Sequence, residues 1–248
     1  MSIPEHQAQP ARSVRGTPDG EWDSVQTRVV LQPVAAPSIL GLFGFAGATL
    51  IVAGNLAGWY GSNSSPMFLF PFAMFFGGLA QFLAGMWAYK ARDALATAMH
   101  GTWGSFWLGY GLLWLLFATG VLTPPTGAFP ELGWWFIALA GITTAGALAA
   151  LLENLALFAV LGTLAAGSIL AAIGFMGGFV GVEQAAGWVF FVSAVLAWYT
   201  ASAMMLAATA KRVILPLGKY QRDANIPGHA VTRAIQYEWA EPGVRMGQ

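Results

Sequence analysis

The chain has 248 residues, 57% of them hydrophobic and only 9% charged, with a mean hydropathy of +0.62. A soluble domain carries charge on about a quarter of its residues, so a fold this apolar belongs in a membrane. Its 11 basic and 11 acidic residues cancel, which gives no reason to expect nucleic acid, and the lack of cysteine removes disulfides, thiolate metal sites and cysteine catalysis together.

The opening stretch, 1–32, is rich in Pro, Gly, Ser, Thr and Gln and has no apolar core of a signal peptide. Residues 1–37 read as a disordered cytoplasmic tail. Residues 38–210 read as a transmembrane domain and 211–248 as a second cytoplasmic tail. Six apolar runs follow in order, at 38–60, 67–89, 103–122, 133–152, 155–180 and 187–210. Each is near the roughly 20 residues that cross a hydrocarbon core of about 30 Å. The expected fold is an all-α membrane protein of six transmembrane helices with both termini cytoplasmic.

Charge supports that order. Arg12, Arg15 and Arg28 precede the first run; Lys90 and Arg92 separate the second and third; Lys211, Arg212, Lys219, Arg222, Arg233 and Arg245 follow the last. The other connections, around 62–66, 124–131 and 181–184, carry no basic residue. Basic residues are retained on the cytoplasmic side. Trp59, Tyr60, Trp87, Tyr89, Trp134, Trp135, Trp188, Trp198 and Tyr199 fall near the run ends, where amphipathic rings settle at headgroup depth.

Glycines recur at helix-packing spacing in the pairs Gly54 and Gly58, Gly174 and Gly178, and Gly177 and Gly181. They serve either packing within the monomer or a subunit face or narrow pore. Glu153 and Asn154 break the fourth run from the fifth and predict a tight helical hairpin. Glu153 reads as a turn residue favoured at a helix N-terminus, with a proton-carrying role as the alternative.

Chemistry inside the spans is sparse. There is no Walker loop, dinucleotide fingerprint or HExxH motif. His6, His100 and His229 are dispersed, so no metal site is expected. Buried catalysis needs ionisable groups that the spans lack. The chain is therefore read as not an enzyme, with no catalytic residues and no cofactor.

Three stretches are more specific. They are Ala36-Pro37-Ser38-Ile39-Leu40-Gly41-Leu42-Phe43-Gly44-Phe45, then Phe75 to Trp87 containing Gly77-Gly78-Leu79-Ala80-Gln81 and continuing to Gly104-Ser105-Phe106-Trp107-Leu108, then Ala186-Gly187-Trp188 with Val213 to Gly218. Together they resemble the acetate uptake transporter family, also called the succinate–acetate permease family, over 37–219. The resemblance implies uptake of acetate, succinate or related short carboxylates, described as proton-linked or channel-like. It implies a homohexamer of six-helix protomers; the absence of a targeting signal, separately, makes a cell inner or plasma membrane the expected location.

The family opens its first helix with Asn-Pro-Ala-Pro-Leu-Gly-Leu. This chain keeps Pro37, Leu40, Gly41 and Leu42 as an entrance motif, but has Ala36 for the asparagine and Ile39 for the second proline. The family's hydrophobic constriction of Phe, Tyr and Leu falls on Phe45, Trp103 and Leu164. Gln81 matches a family glutamine and serves either as interhelical glue or as a hydrogen-bonding partner of a passing carboxylate. His100 stands where relatives have an aromatic residue, and reads either as a proton acceptor near neutrality or as a loop or cap residue.

No Lys or Arg lies in the spans, so a carboxylate would meet only polar groups, namely Gln81, Ser105, the Trp103 indole, Thr49 and Asn55, and helix N-termini. Otherwise it crosses protonated. A carboxyl titrating like a Glu side chain, at about 4.3, is about two per cent neutral at pH 6. The rival readings are another small solute such as ammonia, and a non-transporting assembly subunit or sensor on the same scaffold.

Overall fold

The computed structural model describes residues 34–62, 64–220 and 225–228, all within one compact unit, Val34–Ile235. The tail expectation for 1–33 and for 229–248 lies outside the described residues. The helices are α1 (Ser38–Leu56), α2 (Pro66–Ala73), a π-helical segment (Met74–Ala80), α3 (Gln81–Ala91), α4 (Ala94–Ala118), α5 (Pro130–Ala150), α6 (Leu155–Gly177) and α7 (Val180–Ala210). The chain is a multi-pass membrane protein.

The count of spans requires a correction. Among the described residues five helical stretches are long and apolar enough to cross a membrane: Ser38–Leu56, Pro66–Ala91, Pro130–Ala150, Leu155–Gly177 and Val180–Ala210. The third expected span belongs to α4, which is long enough at 25 residues but is not among the five. Its sequence includes His100, Trp103, Trp107, Tyr110 and Trp114, with Gly101, Gly104, Gly109 and Gly111. Amphipathic rings and glycine dilute the aliphatic content that partitions into hydrocarbon. The expected placement of both termini on the cytoplasmic face rested on an even count, and a count of five removes that argument.

Two starts also differ. Helix α4 begins at Ala94, where Asp93 caps it by accepting from the Ala96 N–H at 2.8 Å. Helix α7 begins at Val180, so the expected connection at 181–184 is helical. At 31 residues α7 is about 46 Å long, more than the hydrocarbon core, and its first turns have room to be polar.

The helices pack in the order α5, α6, α7, α1, then the α2–α3 stretch, then α4, which meets α5 and α1 only lightly. Small residues make the close approaches. Buried Ala186, Ser193, Ala194, Ala197, Ala201 and Ala203 line α7. A Cβ on Gly187 would lie 2.5 Å from the Ala57 backbone nitrogen, which explains the Ala186-Gly187-Trp188 motif. The paired glycines behave differently from expectation. Gly58 and Gly178 are turn or cap residues at φ +78° and +65°, nothing packs over Gly181, and of the six Gly58 and Gly174 lie against α7, at Gln184 and Glu183.

The α5–α6 turn forms where the Glu153-Asn154 break predicts, but takes four residues, 151–154, between Ala150 and Leu155. Asn154 Oδ1 accepts from the Leu157 N–H at 2.8 Å, capping α6. The segment after α7 completes that cap. Leu155 and Ala156 donate to the carbonyls of Gly218 and Leu217 at 3.1 and 3.0 Å, and the Tyr220 hydroxyl donates to the Leu151 carbonyl. Three of the orphan groups at these helix ends are thus satisfied. The Leu215-Pro216-Leu217-Gly218 motif is a clasp on the turn that leads into Leu164.

Contacts fix which connections share an end. Met99 of α4 fills the space over Gly146 near the end of α5, and His100 fills the space over Gly41 at the start of α1. The start of α1, the α3–α4 loop, the α5–α6 turn and the clasp therefore lie together. Lys90, Arg92, Lys211, Arg212 and Lys219 are all on these connections, and the connections at the other end carry no basic residue among the described residues. The expected aromatic anchors, Trp59, Tyr60, Trp87, Tyr89, Trp134, Trp135, Trp188, Trp198 and Tyr199, are all exposed.

Candidate functional site

The site forms where α4 faces α1 and α5. Helical spacing puts Trp103, Trp107, Tyr110, Trp114 and Phe117 on one stripe of α4, and each ring contacts another. The stripe points inward: Trp103, Trp107 and Phe117 are buried. The feature that lowers the apolarity of α4 is therefore the lining of the interior.

Phe45, Trp103 and Leu164 are buried in one continuous hydrophobic cluster with Leu42, Phe136, Leu139 and Phe190. The Phe45 and Trp103 rings meet edge-on, 6.2 Å between centroids at 72°. Leu164 comes from α6, one helical turn from Ser168, whose hydroxyl donates to the Leu164 carbonyl at 2.8 Å.

Polar groups flank this pair. On α1, Gly41, Phe45 and Thr49 are successive at four-residue spacing and all buried. The entrance glycine has a specific reason: a Cβ on Gly41 would lie 2.5 Å from the His100 ring. His100 is 5% exposed and its Nδ1 has no partner. Gly44 admits the opposite helix, since a Cβ there would sit 2.5 Å from the Phe76 carbonyl oxygen and 3.5 Å from the Gln81 nitrogen. Gln81 is 3% exposed, and its Oε1 lacks a partner, as do Thr49 Oγ1 and Trp107 Nε1.

Gln81 owes its position to irregular backbone. Pro71 inside α2 removes a helical N–H. The π-helical segment then runs directly into Gln81. Such widened turns recur at functional sites. Gly77 and Gly78 let this segment press on Trp107 and Leu108 of α4. Nothing in the residue pattern announced the π turn.

Other expected residues lie elsewhere. Ser105 is exposed on α4 and donates to the Gly101 carbonyl at 2.8 Å, away from the buried cluster. Asn55 Nδ2 donates to the carbonyls of Tyr60 and Ser62 at 3.0 and 3.4 Å, so it braces the loop after α1. In that loop Tyr60 donates to the Ile51 carbonyl at 2.5 Å, and burial raises its phenol above the ordinary range. The Trp103 indole N–H, expected to meet substrate, donates to Thr143 Oγ1 at 2.9 Å. Thr143 was not singled out in the sequence, where one Thr among the alanines of α5 carries no signal. Glu153 sits in the α5–α6 turn. Pro37 precedes α1 as its N-terminal flank; Leu42 is buried and Leu40 exposed.

A separate crevice of about 150 Å³ lies between α1 and α2, lined by Gly47, Ala48, Ile51, Val52, Phe72 and Phe76 among others. Its lining is apolar and offers a carboxylate no hydrogen bond. Among the described residues no group of three His, Asp or Glu is placed to hold a metal ion.

The chain is 27% identical over 199 residues to the succinate-acetate/proton symporter SatP of Escherichia coli (strain K12), covering 75% of this chain and 96% of the relative. It is 29% identical over 172 residues to ammonia transport outward protein 2 of Saccharomyces cerevisiae, covering 68% of this chain and 61% of that protein. The solved structure of the bacterial acetate channel SatP superposes with a TM-score of 0.69 at 26% identity, over 75% of this chain and all of that one. A family model described as the GPR1/FUN34/yaaH family matches residues 19–219. The chain belongs to the GPR1/FUN34/yaaH family.

Proposed function

We propose that this protein carries acetate and related short carboxylates, succinate among them, across a cell inner or plasma membrane, with uptake linked to protons. The observation that carries the reading is the ring pair Phe45 and Trp103, flanked by the buried, unpartnered polar atoms of Gln81, Thr49 and His100. Buried polar atoms without partners are costly to keep. A carboxyl group supplies the donor and acceptor that they lack. With Leu164, the ring pair is the constriction of the path, and Pro37, Leu40, Gly41 and Leu42 form its entrance.

Crossing as the acid follows from electrostatics. The described basic residues stand at one end of the bundle, and none faces the ring pair. A bare anion there has no fixed cation to offset its lost hydration. The neutral acid needs only hydrogen bonds, and Gln81 and Thr49 offer them. His100, against Gly41, is one group able to exchange a proton with it, and Glu153 at the α5–α6 turn is another. The functional unit is a homohexamer, a reading supported by the family likeness and by the Pro66–Ala91 stretch, the least buried of the five.

The printed name of the yeast relative supports ammonia as a second reading. Labelled acetate uptake into proteoliposomes, with and without an inward proton gradient and with ammonium as competitor, separates the two. Gradient-stimulated acetate uptake is expected. Equal rates would replace proton linkage with a uniport channel, and uptake of ammonia without acetate would replace the substrate.

A further inference from the structure

Trp103 is held from three directions. Its ring stands edge-on to Phe45 of α1 and to Phe106 of its own helix, the latter at 5.4 Å between centroids. Its Nε1–H reaches across to Thr143 Oγ1 on α5 at 2.9 Å. Thr143 is 0% exposed. Helices α4 and α5 otherwise meet through apolar side chains, with Met99 against Gly146 and the Phe106 ring 5.4 Å from that of Phe136. The Trp103–Thr143 bond is thus a polar tie in an apolar seam, and it sets the angle of the ring that closes the path.

An indole N–H is a donor only and has no other way to be satisfied. Swinging Trp103 aside leaves that donor buried without an acceptor, which is disfavoured. A carboxylic group can replace Thr143, because its carbonyl oxygen accepts from the same N–H even when the acid is neutral.

We propose that Thr143 is the positioning residue of the constriction: it latches Trp103 across the path, and substrate passes by exchanging its own oxygen for the Thr143 hydroxyl. Thr143 thereby sets the upper size of carboxylate that passes. This rests on the carboxylate-transport reading and adds to it a gate residue that the family likeness does not assign.

The test is the ratio of propionate to acetate uptake in proteoliposomes. Thr143→Val keeps the side-chain shape and removes the acceptor, and should raise that ratio between about twofold and tenfold, the range a net hydrogen bond spans. Thr143→Ser keeps the acceptor and should restore the parent ratio. Combining Thr143→Val with Trp103→Phe should raise the ratio no further than Trp103→Phe alone, because the bond is already gone. If Thr143→Val does not fold, Thr143→Cys, a weaker acceptor, should shift the ratio in the same direction by less. An unchanged ratio in a folded Thr143→Val or Thr143→Cys protein that still carries acetate overturns the latch, as does an equal shift in Thr143→Ser. A parent protein with no acetate flux instead overturns the carboxylate reading beneath it.

Discussion

Replacing Phe45 by Ala separates a pore ring from a packing ring. Phe45 is 2% exposed and lies in the central cluster, edge-on to Trp103. Truncating a buried Phe to Ala costs about 3–5 kcal/mol in a packed core, including about 0.5–1.5 kcal/mol from the lost ring pair. A ring that only packs would take transport down with stability. A ring that narrows a path has the opposite effect on flux, since its removal leaves the passage wider beside Trp103. The account expects Phe45→Ala to lower the unfolding midpoint and, per folded protein, to raise propionate and butyrate uptake relative to acetate. Phe45→Leu, which keeps more of the volume, should show both effects weakly. The assay is labelled uptake in proteoliposomes, normalised to protein that elutes as a single species, with unfolding followed in the same detergent. A folded Phe45→Ala protein with the parent's rate and size ranking would refute the reasoning.

Gln81→Leu removes a buried oxygen without a partner, so it should leave the unfolding midpoint unchanged or raise it by the equivalent of about 1 kcal/mol, while acetate uptake falls severalfold; thermal unfolding and flux measured together check both. Asn154→Ala removes the α6 cap and should cost about 1 kcal/mol, read as a lower unfolding midpoint with transport retained once folded. Gly187→Leu would put a side chain 2.5 Å from the Ala57 nitrogen where α1 crosses α7, and should yield no monodisperse protein on size exclusion. If the acid is the species that crosses, initial uptake at fixed total acetate should fall about tenfold for each pH unit above 5.5, following its neutral fraction.

Much of the fold was legible because length and apolarity are strong signals. The five apolar helices correspond to expected runs, and the Glu153-Asn154 break marked the α5–α6 turn and the start of α6 at Leu155, though α5 ends two residues earlier than expected, at Ala150. Helix α4 was misjudged in its bounds and in its count as a span. Its start at Ala94 hides behind the Thr97, His100 and Thr102 stretch, which reads as a loop when only hydropathy is followed. Apart from Trp103, read as part of the constriction, its tryptophans carried no reading beyond an apolar span, and both Trp103 and Trp107 are buried and face the other helices. Glycine spacing misled for a related reason: Gly58 and Gly178 sit at positive φ in a turn and a cap, so their four-residue spacing to Gly54 and Gly174 marks no shared helix face. The site was legible only in part. Phe45, Trp103, Gln81, Thr49 and His100 gather around α1, whereas Ser105 and Asn55 hydrogen-bond locally and the Trp103 donor is already taken. A hydrogen bond across 40 residues of sequence leaves no local pattern, which is why Thr143 escaped notice.

The central claim is that a short carboxylate passes through the middle of each protomer, past the Phe45 and Trp103 rings. A density map of the purified protein at saturating acetate tests it most directly. The account predicts a carboxylate-sized peak beside Gln81, between Phe45 and Trp103. Density confined to the apolar crevice between α1 and α2, with none near Gln81, would contradict it.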